Sequence, residues 1–127
     1  MVPIKETYSR YLRYILAKDN ATATAYDKFM ALAYVVRSEM VDRWIATQRR
    51  YHDENVKRVY FISTEYMFGR SLRHNIINLD MEKHVAQHAA ALGFSPEDLF
   101  EQEEPIDLGN GGKARLAACM QDSMATM

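Results

Sequence analysis

The sequence predicts an α/β fold, mostly helical over its own length, with one strand that belongs to a sheet larger than the chain supplies. Three observations carry this prediction. Apolar residues recur at spacings of three and four through most of the chain, a short run rich in β-branched and aromatic residues interrupts them at 58–63, and a glycine-rich loop at 109–112 opens a last helical pattern. A lone strand has backbone donors and acceptors with nothing to pair with, so its sheet partners are expected outside this segment.

The elements follow in order. Ile4, Tyr8, Tyr11, Leu12, Ile15 and Leu16 fall on one stripe, which predicts a helix over 3–17 opened by Pro3. Lys18, Asp19 and Asn20 break it. Thr24 is a natural N-cap with Asp27 three residues on, and Tyr26, Phe29, Met30, Ala33, Val36, Met40, Val41 and Trp44 continue along one face, giving a helix over 24–50. Such a helix would be roughly 40 Å long, more than a small core covers, so something else is expected to pack against it.

Arg58-Val59-Tyr60-Phe61-Ile62-Ser63 reads as a strand buried on both faces. Helical patterns then cover 70–79 and 81–92, the second stopped by Gly93. Ser95-Pro96-Glu97-Asp98 starts a short helix over 96–102, with Ser95 as cap, and the acidic residues Glu101 to Glu104 close it. The last helix is expected over 112–127. It runs to Met127 with no Gly, Asn or Pro to end it, which points to the N-terminal piece of a larger α/β protein.

Composition narrows the class of function. The 127 residues are 48% hydrophobic and 26% charged, and 16 Lys+Arg against 17 Asp+Glu leave a net charge of -1. The balance is that of an ordinary globular domain. No lysine-rich tract and no apolar run of transmembrane length is present, which argues against nucleic-acid and membrane partners. The single Cys119 excludes an intrachain disulfide and fits a reducing compartment, so a cytoplasmic location is expected.

The residues best suited to chemistry are at the glycine loop. Gly109-Asn110-Gly111-Gly112 ahead of a helix brings free backbone N–H groups and the positive end of the helix dipole together, an arrangement that accepts phosphate, and Lys113 adds a cation beside it. A tight structural turn is the alternative. The loop is not a P-loop, since no Gly-Lys-Ser/Thr follows, and no strand is expected immediately before it. Glu65 lies just past the expected strand, where open α/β sheets bind ligands; capping, or pairing with a neighbour such as Arg70, is the plainer reading from composition. His84 and His88 have helical metal-ligand spacing but lack a third ligand, so no metal site is expected. Cys119, between Ala118 and Met120, reads as a small buried hydrophobe.

Two segments, Val59-Tyr60-Phe61-Ile62-Ser63-Thr64-Glu65-Tyr66-Met67-Phe68-Gly69-Arg70 and Leu108-Gly109-Asn110-Gly111-Gly112-Lys113-Ala114-Arg115-Leu116-Ala117-Ala118-Cys119 with Asp122-Ser123-Met124-Ala125-Thr126, closely resemble the N-terminal region of the glycogen/α-glucan (maltodextrin) phosphorylases. The likeness extends upstream through Arg43-Trp44-Ile45 and Thr47-Gln48 at one consistent spacing. It implies a glycosyltransferase of two Rossmann domains (GT-B type), a homodimer, a pyridoxal phosphate cofactor, and phosphorolysis of α-1,4-glucan to glucose 1-phosphate.

By the same resemblance, Asn110, Gly111, Gly112 and Lys113 occupy the family's phosphate- and substrate-binding loop, with Gly111 and Gly112 also facing the cofactor. Glu65 matches the glutamate that organises sugar and water in the catalytic cleft. Nothing in the chain resembles the surroundings of the cofactor's Schiff-base lysine, which lies in the family's C-terminal domain, so this segment by itself is expected to be inactive. Lys113-Ala114 stands where the family has Leu-Gly, and Thr64 where a larger apolar residue is usual. The rival expectation is a non-catalytic interaction or dimerisation module that binds through its long helix.

Overall fold

The computed structural model describes residues 3–127, which form two compact units: one of the residues up to Val56 with Leu72–Glu103, the other of Lys57–Ser71 with Glu104–Met127.

The first unit is helical: α1 (Ile4–Tyr14), α2 (Ala25–Asp53), α3 (Leu72–Asn78), α4 (Glu82–Leu92) and α5 (Pro96–Phe100). Ile4, Tyr8 and Leu12 of α1 are buried in one cluster with Phe29, Leu32, Val35 and Val36 of α2, and Ile76, Met81, Val85 and Leu99 complete it. Tyr11 Oη and Ser38 Oγ lie 2.5 Å apart. Since the Ser38 hydroxyl already donates to the Tyr34 carbonyl at 2.9 Å, Tyr11 is the donor that ties α1 to α2.

The caps are local. Thr24 Oγ1 accepts from the Asp27 amide at 3.1 Å while Asp27 Oδ2 accepts from the Thr24 amide at 2.9 Å, a complete capping box for α2. Ser95 Oγ accepts from the Glu97 amide at 3.2 Å and starts α5. The start of α3 has a long-range acceptor: both carboxylate oxygens of the buried Glu103 accept from the Leu72 amide, at 3.1 and 3.0 Å.

Several boundaries differ from the sequence expectation. The first helix ends at Tyr14 instead of running to residue 17, because the amides of Leu16 and Lys18 turn back to the carbonyls of Tyr11 and Leu12 and Ala17 takes a left-handed conformation. Helix α2 is 29 residues, about 43 Å at the standard rise. Its expected apolar face is buried only at Phe29 and Val36, whereas Tyr26, Met40 and Trp44 are exposed. The 11 residues of α1 are too short to cover a helix of that length.

The second unit holds β1 (Tyr66–Gly69), β2 (Ile106–Leu108) and α6 (Gly112–Thr126). The strands pair antiparallel, Tyr66 opposite Leu108, Met67 opposite Asp107 and Gly69 opposite Ile106, with a bulge between Met67 and Gly69. The buried Ala114, Ala117 and Ala118 give α6 a face of small side chains, and its Arg115 donates to the Met67 and Phe68 carbonyls at 3.3 and 3.1 Å.

Here the sequence expectation needs three corrections. The strand expected at 58–63 does not form: Val59 is 97% and Ile62 89% exposed, because nothing among the described residues offers this run a ladder. The sheet forms instead at 66–69, and its partner β2 immediately precedes the glycine loop, where no strand was expected. Cys119 is exposed, not buried, because the face of α6 that is covered is the alanine face.

Candidate functional site

The candidate site is built at one end of the β1/β2 ladder. Glu65 precedes Tyr66, the last paired residue of β1 at that end, and Gly109 follows its partner Leu108. Extending the antiparallel register by one position sets Glu65 against Gly109. The approach is close: a Cβ placed on Gly109 would fall 2.9 Å from Glu65 Cγ and 3.2 Å from Glu65 Cβ. The ordinary separation of facing Cβ atoms is about 4.5–5.5 Å, so the half-buried Glu65 occupies space that a side chain at 109 would need.

The main chain at Glu65 is held by Ser63, whose hydroxyl donates to the Glu65 carbonyl at 2.6 Å and lies 3.3 Å from the Glu65 amide, which donates to it. This small turn is why Ser63 and Glu65, two apart, act together. Gly109 has φ +83, which turns the chain out of the ladder into the exposed loop.

Gly111 is the N-cap of α6, at φ 84 and ψ -174, and no side chain caps the helix. The Gly112 and Lys113 amides at the start of the helix therefore have no side-chain acceptor, and a Cβ built on Gly111 or Gly112 would meet nothing within 4 Å. An open, uncapped helix start of this kind is the chemistry an anionic phosphate group requires. Lys113 is exposed on the first turn.

The structure thus brings Glu65 to the start of the glycine loop and puts Asn110, Gly111, Gly112 and Lys113 on the loop and first helical turn. Sequence reasoning missed two residues here. Gly109 was legible as part of the glycine loop but not as the residue that meets Glu65, and Arg115 only as one basic residue on a helix. Among the described residues no group of three or more His, Cys, Asp and Glu side chains that could hold a metal ion occurs. His88 is buried against Tyr8, beside a cleft of about 510 Å³ lined by Ile4, Lys5, His84 and Gln87. No helix of the described residues is long and apolar enough to cross a membrane.

Comparison with known proteins finds similar chains. Residues 89–127, which include the loop and α6, match the family model for carbohydrate phosphorylases. The chain is 44% identical over 124 residues to the muscle form of glycogen phosphorylase from Ovis aries and from Homo sapiens, covering 98% of this chain. It is 43% identical over the same length to the brain form from Bos taurus. The chain spans 15% of the length of these relatives.

Proposed function

Because the chain is a phosphorylase-family segment, we propose that it forms the first part of the N-terminal domain of an α-glucan phosphorylase, a glycosyltransferase that phosphorolyses α-1,4-glucan to glucose 1-phosphate. The observation that carries this reading is the meeting of Glu65 with the Gly109 to Gly112 loop at an uncapped helix start. In this reading the loop amides hold phosphate and the glucosyl group, Lys113 adds positive charge, and Glu65 orients sugar and water in one wall of the cleft.

The remaining wall belongs to the two-Rossmann-domain architecture of the longer protein, a homodimer. Gly111 and Gly112 fit the phosphate end of pyridoxal phosphate, since neither carries a side chain and the helix start is open. That cofactor supplies a phosphate that exchanges a proton with inorganic phosphate; its attachment lysine lies outside this chain.

The test uses the full-length polypeptide that carries this segment, with pyridoxal phosphate, glycogen and inorganic phosphate. Release of glucose 1-phosphate, weakened by Glu65→Ala and by Gly111→Val, is the expected result. Absence of phosphorolysis in a folded, cofactor-loaded protein would overturn the proposal.

A further inference from the structure

We infer that Gly109 is a positioning residue for Glu65: by lacking a side chain it admits the glutamate stem against the loop and so fixes where the carboxylate is presented. The inference rests on the reading of Glu65 as a cleft residue given above. Three observations support it. The first is the contact itself, in which a Cβ at 109 would lie 2.9 Å from Glu65 Cγ, 3.2 Å from its Cβ and 3.4 Å from its Cδ. These atoms are the root of the side chain, so no movement confined to the carboxylate relieves the overlap. Glu65 would have to change rotamer to clear Cγ, and the main chain at 65 or 109 would have to yield by a few tenths of an ångström to clear Cβ.

The second is that the backbone around Glu65 is already held on both sides. Ser63 Oγ contacts both its amide and its carbonyl, while Arg115 grips the Met67 and Phe68 carbonyls from α6. With the main chain tied, the side-chain rotamer is the remaining freedom, and residue 109 restricts it. The third is that Gly109 sits at φ +83, where L side chains are strained, so the close approach and the turn into the loop are served by one residue.

A double-mutant cycle in the full-length polypeptide tests this, with phosphorolysis as the readout and thermal midpoints measured alongside. Asparagine tolerates positive φ better than other side chains, so Gly109→Asn adds a Cβ at modest backbone strain. Gly109→Asn is expected to lower kcat about tenfold or more, as misplacing a cleft group does, with little change in KM for phosphate. In a Glu65→Ala background it should add less than about twofold, because Cγ and the carboxylate it would displace are no longer there. Should Gly109→Asn not fold, Gly109→Ala completes the same cycle. An equal fold-loss in both backgrounds, or no loss in the single variant, overturns the positioning role while leaving Glu65 in the cleft. Wild-type kcat in Glu65→Ala overturns the reading of Glu65, and the positioning role with it.

Discussion

Tyr8 and His88 meet edge to face, ring centroids 4.7 Å apart and planes inclined at 68°, and among the described residues neither the buried Tyr8 hydroxyl nor the buried His88 Nε2 has a hydrogen-bond partner. The pair joins α1 to α4. Burial, with a smaller contribution from the Lys5 ammonium, holds the His88 pKa below its ordinary 6.5. Burial likewise pushes the Tyr8 phenol up to about 12.

The sign of the pH dependence follows from these directions. With the folded His88 pKa depressed, the unfolded chain binds more protons as pH falls through 6.5, so stability is full above that pH and is lost below it, down through the folded pKa. Thermal midpoints measured between pH 5 and 7.5 should fall on the acid side, and His88→Phe should flatten the curve. An unchanged slope in that variant would place the acid sensitivity elsewhere. Tyr8 acts at the other extreme: the unfolded phenol ionises near its ordinary 10.0 and the folded one near 12, so stability drops across that interval. Tyr8→Phe should raise stability by up to about 1 kcal/mol, since it removes an unpartnered buried hydroxyl.

Glu103 is expected to matter more than its place in an acidic run implies. Both its oxygens accept from the Leu72 amide across 31 positions of sequence. Replacing it with alanine removes the acceptor of the Leu72 amide at the start of α3, at a cost of about 1–2 kcal/mol. Urea unfolding of Glu103→Ala beside Glu104→Ala, an exposed neighbour, measures the difference; equal midpoints would show the acceptor to be dispensable.

Lys113 and Gly111 separate the side-chain and backbone parts of the proposed phosphate site. In the full-length polypeptide, Lys113→Leu should raise the KM for phosphate several-fold, with the gap narrowing as salt screens the exposed ammonium. Gly111→Val should be worse, because a β-branched residue at φ 84 distorts the helix start that presents the amides. Gly112 lacks a left-handed φ and has open space beside it, so Gly112→Ala should be milder than Gly111→Ala. A KM unaffected by Lys113→Leu would leave only the backbone part standing.

On the proposed reading, in which the cofactor's attachment lysine lies outside this segment, the isolated segment, which spans 15% of the length of its relatives, should release no glucose 1-phosphate from glycogen and phosphate even with pyridoxal phosphate added. Its exposed Val59, Tyr60 and Ile62 form a β-prone run that should drive self-association, visible as a concentration-dependent rise in light scattering. Cofactor-dependent turnover by this chain alone would refute the assignment of the missing groups to another domain.

What the sequence determined by itself is everything whose cause lies within a few residues. The α1 stripe Ile4, Tyr8, Leu12 follows from a period of three and four, the Thr24 and Ser95 caps from side chains reaching amides two or three residues on, and the open start of α6 from Gly111 having no side chain. Tertiary structure decided whatever needed a distant partner. The run at 58–63 has the stronger β pattern, yet the strand forms at Tyr66–Gly69, because Ile106–Leu108 supplies a ladder there. That pairing sets Gly109 beside Glu65, and a long-range carboxylate, Glu103, accepts from the Leu72 amide at the start of α3. Helical hydrogen bonds close within one turn and so are written in local pattern, whereas strand register, cross-strand contacts and buried polar pairs exist only once segments far apart in the chain have met.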